Sequence, residues 1–243
     1  VHSGAQDFCK TFVDVQDNNE HEICPPIGSI MRQIRGSIMT EGLQRIDYVT
    51  MQLSGDNNLS TSSDVDGNYA FPFMPQGGTY WVEPSLDIEP LNGVSTLDLV
   101  LIQRHILGLQ QLPSPYKLLA ADINSDGAVS SIDLIELRKL ILGLTDSFNN
   151  NTSWRFVDAA YEFENPRNPL NEDFPEMIEI QNLNFSATTN QFVAIKVGDV
   201  NWSAIPNNLV STPDNRSERE AFNLAMTNEW VEAGKTYTIP VTT

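Results

Sequence analysis

The twelve residues from Asp122 to Asp133, DINSDGAVSSID, put oxygen-bearing side chains at positions one, three, five and twelve and a glycine at position six. A hard divalent cation collects six to eight oxygens, and a sharp turn at position six folds such a segment around one point. Asp122, Asn124, Asp126, the carbonyl of Ala128 and Asp133 are therefore the expected ligands of Ca2+. Val129, at position eight, is expected to turn its side chain into a core.

The end of this segment occurs twice. Placing Val94 on Val129 aligns VSTLDLVLIQRHILGL with VSSIDLIELRKLILGL, so that Asp98 falls on Asp133 and Gly108 on Gly143. Such self-similarity marks a duplicated structural unit. Each copy predicts a loop followed by one helix, with Ser95 and Ser130 as N-caps and Gly108 and Gly143 closing the C-terminal ends. Leu99, Ile102 and Ile106, and likewise Leu134, Leu137 and Ile141, recur three and four apart, which predicts that the two helices pack face to face. Ser114-Pro115 opens a further short helical stretch, PYKLLAA. A core of that size needs an extra source of stability, and a bound cation supplies one.

The last ligand is Asp where an EF-hand carries Glu, and no amphipathic helix leads into the loop. In both respects residues 87–144 resemble a type I dockerin. The resemblance implies non-covalent binding of a cohesin-like domain through loop positions ten and eleven, here Thr96 and Leu97 in one copy and Ser131 and Ile132 in the other. The first loop departs from the pattern: Asp87 falls at position one, Glu89 at three, Leu91 at five, Asn92 in place of the glycine and Asp98 at twelve. Leu91 cannot ligate. Either the first site stays empty or a ligand arrives from elsewhere. Gly198-Asp199-Val200-Asn201 resembles the opening of a dockerin loop, which makes Asp199 and Asn201 candidate donors; an ordinary β-turn at these residues is the alternative.

The remainder reads as β-structure. Between residues 28 and 85 the segments IRGSI, YVTMQL, NYAFPF and TYWVEP alternate and are separated by polar turns, Asp66-Gly67 among them. This stretch resembles the small β-sandwiches of the carboxypeptidase-regulatory-like and CnaB-like class. It contains no lysine, so a Lys-Asn isopeptide bond inside it is excluded. Residues 1–27 resemble the closing strand of an immunoglobulin-like HYR repeat, and Cys9 and Cys24 within them could form a disulfide, with pairing of Cys9 outside the chain as the alternative. After Gly143 come further strands, with Trp154, Phe156, Tyr161 and Phe163 expected to cover the helices; this extended form resembles dockerin-like regions of large secreted bacterial surface proteins. The expected fold class is multi-domain: a small all-β sandwich (28–85), then an α-helical dockerin-like calcium module with a β-containing extension (86–202). A polar linker (203–220) and the first strands of a downstream cohesin-like β-sandwich (221–243) follow.

A formal net charge of −18 disfavours nucleic acid and anionic membrane surfaces as partners. No apolar run is long enough to insert in a bilayer. The chain begins at Val1 without a signal peptide, which suggests a processed or excerpted secreted protein. Its three histidines, His2, His21 and His105, lack metal-ligand spacing, and Leu140 stands for His105 in the second copy. Carboxylates are too abundant for one pair to stand out as catalytic. The expectation is a non-enzymatic, extracellular, calcium-binding assembly or adhesion module of a long surface or fibrous protein. Its partners would be cohesin-like or neighbouring β-sandwich domains, those of identical subunits included. The alternative is a dockerin that anchors a secreted polysaccharide-degrading enzyme to a cohesin scaffold.

Overall fold

The computed structural model describes residues 31–206. Cys9, Cys24, the first expected strand and the terminal strands after residue 220 lie outside that range, as does most of the expected linker.

Alternation sets the strands. In β4 (Asn68–Pro75) Tyr69 and Phe71 are buried between exposed neighbours, and in β5 (Tyr80–Ser85) Tyr80, Val82 and Pro84 are buried while Glu83 and Ser85 face out. Period-two patterning of this kind seats one face of a sheet on a core. With β1 (Met31–Thr40), β2 (Thr50–Gly55), β3 (Leu59–Ser62), β6 (Trp154–Asp158), β7 (Ile178–Ile180) and β8 (Ala187–Lys196), these strands form two four-stranded sheets. Their orders are β4-β1-β8-β6 and β3-β2-β5-β7. Ile34, Ile38, Met51, Phe71, Tyr80, Val82, Trp154, Phe156 and Phe192 meet between the sheets in one apolar core.

The expected boundary between residues 85 and 86 is not where the sheets divide. β8 lies parallel to β1, and β7 adds to the edge of β5, so strands from the expected extension complete the sandwich begun by residues 31–85. The physical reason is that the C-terminal end of β8 and the residue that follows it are apolar on both faces. Phe192 and Ala194 enter the inter-sheet core, while Ile195 and Val197 join a second core built with the helices. Close packing of β1 on β8 depends on Gly36, where any Cβ would fall 1.6 Å from the Asn190 carbonyl oxygen.

The helices are α1 (Thr96–Ile106), α2 (Pro115–Ala121) and α3 (Ser131–Ile141). As expected, Ser95, Ser114 and Ser130 cap them, and α1 and α3 both carry a capping box closed by Asp98 and Asp133. Ile102, Leu119, Leu137 and Leu140 pack with Val94, Ile123, Val157, Ile195, Val197 and Val200 in the second core. The four aromatic residues expected over the helices divide: Tyr161 and Phe163 pack there, whereas Trp154 and Phe156 are committed to the sandwich. Among the described residues no helix is long and apolar enough to cross a membrane.

Candidate metal centre

Asp122 ends α2 and Asp133 sits in the first turn of α3, so two helix termini fix the ends of the loop between them. Ser125 (φ 55°) and Gly127 (φ 84°) supply its two left-handed bends. Asp122 Oδ1 accepts the Asp126 amide at 3.1 Å and Oδ2 accepts the Gly127 amide at 3.1 Å. Asp133 Oδ1 accepts the amides of Ile123 (2.8 Å) and Asn124 (3.3 Å), while its Oδ2 accepts the Ser130 amide (2.8 Å). Asp126 Oδ1 accepts the Ala128 amide at 3.0 Å, and its Oδ2 accepts a bond from Asn124 Nδ2 at 2.7 Å. One residue that spacing could not reveal braces this arrangement: Asn151 donates from Nδ2 to the carbonyls of Asp122 (3.0 Å) and Ile123 (3.3 Å).

The charge balance favours a cation. Asp122 is 1% exposed and Asp133 0% exposed, yet neither pairs with a basic side chain, since the ion pairs among the described residues are Lys139–Glu136 and Arg155–Glu176. Burial raises the Asp122 pKa, opposed by the Gly127 and Asp126 amides and reinforced by the charges of Asp133 and Asp126. A buried carboxylate cluster of that kind costs free energy unless a counter-charge arrives. Among the described residues no three His, Cys, Asp or Glu side chains converge tightly enough to hold a metal by themselves. The donor set here is mixed instead, with the Asn124 amide oxygen and a backbone carbonyl beside three aspartates. All-oxygen donors of this type suit calcium. Asp122, Asn124, Asp126, the Ala128 carbonyl and Asp133 would hold such an ion, which would supply the counter-charge that the buried carboxylates lack.

The first copy is completed from the far end of the described chain. Asp98, 0% exposed, accepts on Oδ1 the amides of Val200 (3.0 Å) and Asn201 (3.2 Å), and on Oδ2 the Ser95 amide (2.9 Å). This is the pattern Asp133 makes with Ile123, Asn124 and Ser130. Asp199 Oδ1 accepts the Ser203 amide (3.1 Å) and its Oδ2 the Ala204 amide (2.7 Å), as Asp122 does with Asp126 and Gly127. Trp202 takes φ 62°, matching Ser125 at position four. Residues 199–204 thus have the backbone of the front half of a loop whose back half begins at Gly93.

Asp87 and Glu89, aligned by sequence to positions one and three, lie elsewhere. Asp87 Oδ1 accepts the Ser153 amide (2.8 Å) and hydroxyl (2.6 Å), and Glu89 occupies a left-handed turn at φ 46°. Asn92 stitches the two segments: its Oδ1 accepts the Ile205 amide (3.1 Å) and its Nδ2 donates to the Ile205 carbonyl (3.1 Å). Near them Lys196 is buried, donating to the Pro90 carbonyl at 2.8 Å. Desolvation lowers its pKa to about 7, against the attraction of Asp199, Asp87 and Glu89. His105 is held as a neutral acceptor for the Leu112 amide, with burial lowering its pKa.

The residues expected to face a partner are on the surface. Leu97 is 54% and Ile132 51% exposed, and Thr96 and Ser131 are exposed beside them. Val100, Leu107, Ile135 and Leu142 are exposed as well, at equivalent places in the two copies.

Two loop-helix units with mixed-oxygen loops, joined by α2, form a duplicated helical module packed on a β-sandwich. Residues 92–142 match the dockerin type I domain, so the chain contains a dockerin-like module. The match begins at Asn92, after Asp87 and Glu89. No curated protein and no solved structure matches the chain.

Proposed function

We propose that this chain is a non-enzymatic, extracellular assembly module whose dockerin-like unit is set in shape by Ca2+ and binds a cohesin-like or neighbouring β-sandwich domain. The observation that carries the reading is the Asp122–Asp133 loop, with two fully buried carboxylates and no basic partner. Calcium in that loop neutralises the cluster and ties the end of α2 to the start of α3. Binding to the folded form alone stabilises it by about 2.7 kcal/mol when calcium is a hundred times its dissociation constant.

The partner surface follows from the same units. Thr96 and Leu97 on α1 and Ser131 and Ile132 on α3 are presented by the helix N-termini that the loops hold. Exposed aliphatic side chains in such a setting are suited to an apolar contact. An anchor for a secreted polysaccharide-degrading enzyme would use the same ion and the same surface, and the dockerin match serves either use.

The reading is tested by titrating Ca2+ into the chelator-stripped chain by calorimetry, with thermal melts in calcium and in EDTA. Binding at sub-millimolar dissociation constants, with the tightest equivalent lost in Asp122→Ala, is expected together with a lower melting temperature in EDTA. A chain that ignores millimolar calcium in both measurements overturns it. Retention on immobilised cohesin domains in calcium, released by EGTA, tests the partner.

A further inference from the structure

We propose a second Ca2+ site assembled from two segments of the chain, with Asp199, Asn201 and Ser203 supplied by one and the Gly93 carbonyl and Asp98 by the other. It rests on the calcium reading above and extends it to residues that no contiguous loop contains.

One independent observation points to an absent ligand. Asn201 Oδ1 is sealed from solvent and accepts no hydrogen bond from any described residue. Its counterpart in the contiguous loop, Asn124 Oδ1, accepts the Asp126 amide. A buried amide oxygen left without a donor is rare, because desolvating it without replacement costs about 1–3 kcal/mol. A cation at this point supplies what the oxygen lacks.

The surroundings agree in chemistry. Asp98 is 0% and Asp199 2% exposed, and neither forms an ion pair among the described residues. The nearest buried cation, Lys196, directs its ammonium to the carbonyls of Pro90 and Val197. Ser203 Oγ lies 2.8 Å from the Gly93 carbonyl, which brings together the oxygens of positions five and seven. The junction is built for two strands of chain to meet. A Cβ at Gly93 would fall 2.4 Å from the Ala204 nitrogen, and Gly93 takes φ 76°.

The split loop places Ser203 where the contiguous loop has Asp126, so it carries one negative charge fewer. Ligand charge tunes the affinity of such loops, and the split site should be the weaker by roughly tenfold. The bound ion would clasp residues 199–205 to the start of α1.

Calorimetry with CaCl2 on the full chain decides the matter. Two equivalents are expected for the natural sequence, one for Asp199→Asn, one for Asp122→Asn, and none for the double variant. Terbium luminescence sensitised by Trp202, at position four of the split loop, should vanish in Asp199→Asn and persist in Asp122→Asn. Because loss of binding could follow from misfolding, Asn201→Asp is the companion: its added charge should tighten the weaker site about tenfold. One equivalent in the natural chain, abolished by Asp122→Asn, overturns the split site and leaves the proposed function intact. So does unchanged stoichiometry in Asp199→Asn, or unchanged affinity in Asn201→Asp. No binding at all in the natural chain overturns both.

Discussion

Asp98 and Asn201 are 103 residues apart in the chain, and the Asp98 carboxylate accepts the Asn201 amide at 3.2 Å. The same carboxylate closes the capping box of α1. A single buried side chain therefore joins a helix start to the segment that follows the last strand. Replacing Asp98 by Ala leaves the amides of Ser95, Val200 and Asn201 without partners. Each such loss costs about 1–3 kcal/mol, so Asp98→Ala should lower stability by at least ~3 kcal/mol in calcium-free buffer. Asp133→Ala, which orphans Ser130, Ile123 and Asn124, should match it. Urea denaturation checks both, and a loss under ~1 kcal/mol for Asp98→Ala would show that the contact contributes little.

Lys196 gives the fold a pH signature. Its folded pKa is lowered to about 7 from the ordinary lysine value of 10.5, chiefly by desolvation. Between those values the unfolded chain carries a proton that the folded chain has released. Stability should therefore rise with pH from about 7 to 9.5, by at most ~1.4 kcal/mol per pH unit, and be flat in this contribution below 7. The upper bound of the window is set by Tyr69, Tyr80 and Tyr116, whose raised pKa values reverse the slope as tyrosines ionise in the unfolded chain. Denaturation midpoints at pH 7, 8 and 9 would settle it; Lys196→Met should remove the slope, and a persisting slope would assign it to another group.

Local chemistry made the calcium loop and the helix starts legible. Ser95 and Ser130 read as caps because an N-cap needs only a side-chain oxygen one turn ahead of the pattern. Asp122 to Asp133 read as a loop because its ligands lie within twelve residues. What could not be read was the pairing of remote segments. Nothing in NQFVAIKV says that it lies parallel to β1, since strand pairing across some 150 residues leaves no periodic trace. Trp154 and Phe156 looked like cover for the helices, but whether an aromatic side chain faces one core or another is decided by sheet order. Gly198-Asp199-Val200-Asn201 carried the right residue types, and only the fold shows which carboxylate they meet. The misplaced assignment of Asp87 and Glu89 has the same origin: alignment by sequence assumes a continuous loop.

The outward faces of α1 and α3 can be altered without touching either core. Leu97 and Ile132 are each about half exposed, so a double change to Asp removes little burial and should shift stability by less than about 0.5 kcal/mol. The same change should abolish calcium-dependent retention on a cohesin-like domain, while either single change weakens it. Surface plasmon resonance beside thermal melts separates the two effects. Full binding by the double variant would place the partner surface elsewhere.

Protons and calcium compete for the same carboxylates in the contiguous loop. Burial raises the Asp122 pKa, with Asp133 and Asp126 adding repulsion, so Asp122 takes up a proton at a higher pH than an ordinary aspartate. In the calcium-free loop protonation relieves the repulsion, and a bound ion must expel that proton. Calcium affinity should therefore hold steady near neutrality and then fall on acidification, by up to about tenfold for each pH unit per proton expelled. Conversely, saturating calcium should delay the acid transition of the folded chain, because it binds the ionised form. Calorimetric titrations at pH 7, 6, 5 and 4.5 and constant ionic strength would measure the fall. A dissociation constant that does not change down to pH 4.5 would mean that Asp122 is not among the ligands, whatever holds the ion.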